Sequence, residues 1–261
     1  MSHSSSVRRG SAAITIAALV AATAVVAAVK APKRRVILYG DSLALEARDF
    51  FALSIQSGDE AVVVDRTFGG SAICDWLDRM RSDVRDLQPS AVVLEFVGNN
   101  VTRCMRGRDG PLTGGALVQK YRDDARIATA IFGGAGVRVY WIGGPRVSGI
   151  RSIELTGIRR GYEAEPRRLT FTTPPLDRVR YVDAGRSLLE NGSYTTSLPC
   201  APNEGAGQGC VDGRIPVRNP DGLHLCPVEF DRQANRCPVY SGGAARFGFS
   251  MAQPVRRDLD L

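Results

Sequence analysis

The chain has 261 residues, 44% of them apolar and 23% charged, a globular balance that excludes a disordered, collagenous or coiled-coil protein and fits one domain of moderate size. Of its 34 basic residues, six (Arg8, Arg9, Lys30, Lys33, Arg34 and Arg35) precede any acidic residue, and without them 28 basic residues face 27 acidic ones. The formal charge of +7 therefore belongs to the N-terminal segment, and the body offers no electrostatic basis for binding nucleic acid.

From Ala12 to Val29 only Thr15 and Thr23 are not apolar, and basic residues flank the run on both sides. This is the pattern of an export signal or of an uncleaved anchor; small residues at Val26/Ala28 or Val29/Ala31 suit cleavage, and retention would give membrane association through residues 12–29. Residues 1–34 are read as this leader and 35–261 as one catalytic-sized domain. Beyond Arg35, short apolar runs alternate with segments of helical period. Strands are expected at Val36–Tyr39, Val62–Val64, Ala91–Val97, Val139–Ile142 and Tyr181–Val182, and helices over Leu43–Ser57, Trp76–Leu87, Val118–Phe132, Ile150–Leu169 and Gly242–Met251. Continuous apolar strands alternating with helices imply an α/β fold around a parallel sheet. Asn191–Asp221, rich in Gly, Pro, Asn and Ser, is expected to be a long loop without regular structure.

Six cysteines, all downstream of the leader, point to an oxidising compartment. Of the 15 connectivities that six cysteines allow, the pairing expected is Cys74 with Cys104, Cys200 with Cys210, and Cys226 with Cys237. No Cys-x-x-Cys pair occurs and the chain has two histidines, so neither a metal site nor a cofactor is expected.

In an open parallel sheet, ligands bind at the carboxyl ends of the strands. Here those ends carry Gly40-Asp41-Ser42-Leu43, Gly69-Gly70-Ser71 and Gly98-Asn99-Asn100, and a late loop carries Asp221-Gly222-Leu223-His224. A serine at a strand-to-helix junction is exposed where free N–H groups favour negative charge, which suits Ser42 to nucleophilic attack. Its hydroxyl needs a base, and the mature region offers one histidine, His224, with Asp221 three residues earlier to orient its ring. The N–H groups of Ser42 and Gly69, with the side-chain amide of Asn100, would then face an oxyanion.

These four blocks, in this order, resemble those of the SGNH or GDSL hydrolases, and the resemblance spans about Val36 to Met251. It implies a flavodoxin-like three-layer α/β/α sandwich and hydrolysis of carboxylic esters through an acyl-enzyme, with Ser42 as nucleophile, His224 as base, Asp221 as orienting acid, and Gly69 and Asn100 as oxyanion donors. The substrate would be a small-molecule, lipid or glycan ester, and the protein secreted or associated with the cell envelope. Val101 stands where the family's Gly-x-Asn-Asp block has its acid, and the paired glycines leave Gly70 as an alternative to Gly69. Two other readings stand beside ester hydrolysis: acyl transfer to a cell-envelope glycan or lipid, and a non-catalytic envelope-binding domain that has kept the scaffold. Asn100-Val101-Thr102 and Asn191-Gly192-Ser193 also match glycosylation acceptors.

Overall fold

The structure, a computed structural model, describes residues 33–149, 151–168 and 178–261. The expected leader lies outside the described residues except for Lys33 and Arg34, as do both ends of the helix expected over 150–169. Five parallel strands form the centre: β1 (Arg34–Gly40), β2 (Ala61–Thr67), β3 (Ala91–Glu95), β4 (Arg138–Ile142) and β5 (Val179–Val182). Five helices accompany them: α1 (Ser42–Gln56), α2 (Leu77–Leu87), α3 (Gly114–Gly134), α4 (Arg151–Arg168) and α5 (Gly242–Leu259). In space the strands run β2-β1-β3-β4-β5. The order reverses between β1 and β3, so the crevice at their carboxyl ends is the place where a sheet of this order takes its ligand.

Alternation along the buried strands builds two cores. Val36, Leu38, Val93 and Tyr140 face α1 and α5, packing on Phe51, Phe247 and Met251, while Ile37, Tyr39, Val92, Leu94 and Trp141 face α2, α3 and α4. The two faces together make a three-layer α/β/α sandwich. Trp141 stacks on Tyr162 of α4 with ring centroids 4.6 Å apart and donates its indole N–H to Thr129. Two buried acids, Asp83 and Glu204, are paired with Arg66 and Arg246.

Helix α5 runs eight residues beyond its expected end, through Pro254, because Val255 and Leu259 continue the buried stripe and their burial offsets the hydrogen bond that proline removes. The expected loop and the two residues before it hold two hairpins too short to leave a periodic trace, Leu189–Glu190 with Ser193–Tyr194 and Ser197–Pro199 with Arg214–Pro216. All three expected disulfides are present. Among the described residues no helix is long and apolar enough to cross a membrane.

Candidate active site

Strand β1 ends at Gly40, where a side chain would collide with Ala44 and stand 2.8 Å from the Glu95 carbonyl; glycine alone lets the strand turn this tightly into α1. Asp41 caps the helix, accepting the N–H of Leu43 at 3.1 Å. Ser42 is thereby the first helical residue, at the positive end of the α1 dipole. His224 reaches it from the far end of the chain: Nε2 lies 3.0 Å from Ser42 Oγ, and Nδ1 lies 2.5 Å from Asp221 Oδ2. With the ring proton on Nδ1 donated to Asp221, Nε2 is left to accept the serine hydroxyl. Asp221 also takes the N–H groups of Leu223 and His224 on its other oxygen. Burial pushes this carboxyl up, but the bonds from the His224 ring and these two N–H groups outweigh it and hold it below the ordinary aspartate value.

The second loop places Gly69 beside the serine: a Cβ built there would lie 3.9 Å from Ser42 Cβ, whereas one on Gly70 would approach Val101. Gly70, at φ +81°, serves the turn. Ser71 holds that turn, donating to the Phe68 carbonyl and accepting from Trp76 Nε1. Among the described residues, the N–H groups of Ser42 and Gly69 make no hydrogen bond and remain available to an oxyanion.

The third loop departs from expectation. Asn100 gives its amide to the Leu112 carbonyl at 2.9 Å and does not line the cleft. Asn99 lines it instead, with Ser42, Gly69 and His224, and its amide donates to Asp41 Oδ2 at 3.0 Å and to the Ser71 carbonyl at 3.2 Å. The cause is local: Gly98, at φ +95°, turns the chain so that the residue directly after it faces the nucleophile. Of the two consecutive asparagines it is therefore Asn99, not Asn100, that stands at the cleft. The hydroxyls of Tyr121 and Tyr162 hold this loop from behind through the carbonyls of Asn99 and Phe96.

Three buried acids surround the serine: Asp41 of the first block, and Glu95 and Glu46, which no motif marks. Asp41 accepts from Val97 N–H and Asn99 as well as Leu43, yet burial pushes its pKa up to about 6. Glu95, at the end of β3, accepts from Ala44 N–H, and burial together with the charge of Asp41 holds it well above the glutamate range. Glu46, on α1, is pushed up to about 6 by burial, opposed by the N–H of Leu225. The two outside the motifs had a signal in the sequence: Glu95 interrupts an apolar strand, and Glu46 sits on the apolar stripe of α1.

Cys74–Cys104 joins the second loop to the third, and Cys226–Cys237 closes the segment after His224. Between them opens a cleft of about 1080 Å³, bounded by Leu45, Phe68, Pro220, Val228, Phe230 and Arg232 as well as the polar centre. Phe68, Val101 and Val228 are exposed near its mouth. The arrangement equips Ser42 to lose its proton to His224 while attacking an electrophile, with N–H donors alongside.

No family model matches the chain, and no curated protein matches it. Solved structures do. A lipase/acylhydrolase from Enterococcus faecalis superposes with TM-score 0.53 at 15% identity, covering 86% of this chain and 96% of its own. A lipolytic protein of the G-D-S-L family from Desulfitobacterium hafniense gives 0.51 at 10% identity, covering 85% and 99%. The catalytic domain of peptidoglycan O-acetyltransferase A from Streptococcus pneumoniae gives 0.51 at 14% identity, covering 87% and 96%. The chain has the fold of the SGNH or GDSL hydrolases, as the four sequence blocks imply.

Proposed function

We propose that this chain is an exported serine ester hydrolase. The observation that carries the reading is the continuous relay from Asp221 through His224 to Ser42, with contacts of 2.5 and 3.0 Å drawn from residues 182 positions apart. Ser42 Oγ attacks the ester carbonyl as its proton passes to His224 Nε2; the oxyanion faces the N–H groups of Ser42 and Gly69, beside Asn99. Collapse returns that proton to the leaving alcohol and leaves an acyl group on Ser42. Water, deprotonated by the same imidazole, then releases the acid.

Export is supported by the apolar leader in the sequence and by three disulfides, which persist in oxidising compartments. The substrate class is an uncharged or lipid-like ester entering past Phe68 and Val228. Acyl transfer is the second reading: the width of the cleft leaves space for an acceptor hydroxyl larger than water. Measuring ester loss against acyl gain on a polyol separates the two. The primary test is Ser42→Ala, which is expected to abolish labelling by a fluorophosphonate probe and turnover of aryl esters while leaving the circular dichroism spectrum unchanged; labelling that persists refutes the assignment.

A further inference from the structure

We infer that Glu46 is a positioning residue that holds His224 in register with Ser42, a role that rests on the ester-hydrolase reading. Glu46 follows Ser42 by four residues, so both stand on one face of α1. Glu46 is 7% exposed, and its Oε2 accepts the N–H groups of Leu225 at 2.5 Å and Cys226 at 3.2 Å, the two residues after the base. Among the described residues, the hydrogen bonds that join α1 to segment 219–226 are these two and the Ser42–His224 contact itself. The nucleophile and the base are thus tied through one helical turn and one carboxylate.

Other bonds fix the same segment without linking it to α1. Ser241 Oγ donates to the Leu225 carbonyl at 2.5 Å, and Asn219 donates its N–H to the His224 carbonyl at 2.7 Å and its side-chain amide to Cys226 at 3.0 Å. Arg218 donates to the Leu223 carbonyl and to that of Arg146. These contacts and the packing of Leu225 in the core keep the segment folded, while among the described residues Glu46 supplies the hydrogen bonds that tie it to α1 beside the Ser42–His224 contact. A carboxylate suits the task because one charged oxygen accepts two backbone donors strongly. Glutamine offers the same acceptor without charge, and aspartate keeps the charge but is one methylene too short to reach.

The experiment compares the full chain with Glu46→Ala, Glu46→Asp and Glu46→Gln, reading kcat and KM on an aryl ester, thermal melting, and the downfield NMR signal of the His224 Nδ1 proton. Glu46→Ala and Glu46→Asp are expected to lower kcat on the order of 10²-fold with KM nearly unchanged, since a misplacement of about 1 Å has that cost. Both should broaden or lose the proton signal, and Glu46→Gln should recover most of the rate and the signal. Should Glu46→Ala not fold, Glu46→Asp carries the same comparison. Wild-type kcat in a folded Glu46→Asp or Glu46→Ala chain, or a Glu46→Gln chain as slow as Glu46→Ala, overturns the role. A wild-type chain inert to every ester and to the probe sinks the proposed function instead, and the NMR signal still decides whether Glu46 positions the ring.

Discussion

The two halves of the site are held by different means. Ser42, Gly69 and Asn99 follow the ends of adjacent parallel strands, where ladder hydrogen bonds and two apolar cores hold the backbone. Asp221 and His224 stand between Arg214–Pro216 and α5, on a stretch without strands or helices, secured by Cys226–Cys237 and by the buried polar groups of Glu46, Arg218 and Ser241. Where a sheet supplies position, the chemistry needs only the right residue at a strand end. Where none does, covalent bonds and side-chain acceptors take over the sheet's task, and single substitutions away from the reacting atoms matter more.

The sharpest way to break this contrast is to remove the base. His224→Ala is expected to lower kcat by about 10⁴-fold or more on aryl esters, with the melting temperature little changed, because among the described residues Ser42 Oγ hydrogen-bonds to His224 and to no other group. A decrease of only a few-fold would show that the irregular half is dispensable. On the ordered half, the two asparagines of the third loop yield a paired test. Asn99→Ala should lower kcat on the order of 10²-fold, because its amide ties the third loop to Asp41 and to the Ser71 carbonyl, and a misplacement of about 1 Å beside the serine has that cost. Asn100→Ala, whose amide serves Leu112, should leave kcat nearly unchanged and report mainly as a loss of stability. The reverse ranking would restore Asn100 to the cleft.

Replacing Cys226 and Cys237 together by serine probes the irregular half directly. For an 11-residue separation the chain-entropy account puts the loss at about 2–3 kcal/mol, and turnover should fall at urea concentrations where the sheet's circular dichroism is still native. Equal loss of both signals would mean that the segment is not separately held.

The smallest effect concerns pH and the acids beneath the serine. Folding raises Asp41 and Glu46 to about 6 through burial, so the folded state binds protons that the unfolded chain has released. The stability they contribute is full below the unfolded carboxylate range and is lost as pH rises through about 6. Asp83 and Glu204 behave oppositely: burial raises them, but hydrogen bonds from Arg66 and Arg246 hold them low, so their contribution is present above the unfolded values and lost on further acidification. The melting temperature should therefore be a few degrees higher near pH 5 than near pH 7.5 and fall below about pH 4. A maximum at or above pH 7 would place those acids in solvent.

Much of the fold and of the site was legible in the sequence. Five apolar runs announced the strands because burial on both faces leaves little room for polar residues, and Asp41-Ser42 and Asp221-x-x-His224 were readable because few residue types can do their work. The disulfide pairing expected, each cysteine with the next along the chain, is the one present. What stayed hidden depended on backbone direction or on partners distant in sequence. Gly98 decides which of two consecutive asparagines turns inward, and no periodicity records that. Glu46 stands out on the apolar stripe of α1, but the N–H groups of Leu225 and Cys226 that it meets lie some 180 positions away, where no local pattern points to them. The short hairpins of 189–216 were missed because two or three residues cannot display alternation.

The bridge after His224 ties competence to location. A newly made chain still in a reducing cytosol lacks the covalent tether on the side of its base, so the proposed chemistry would mature only where thiols are oxidised. Producing the protein for assay thus calls for a periplasmic or otherwise oxidising host, and cytosolic material would understate its rate even when soluble and folded.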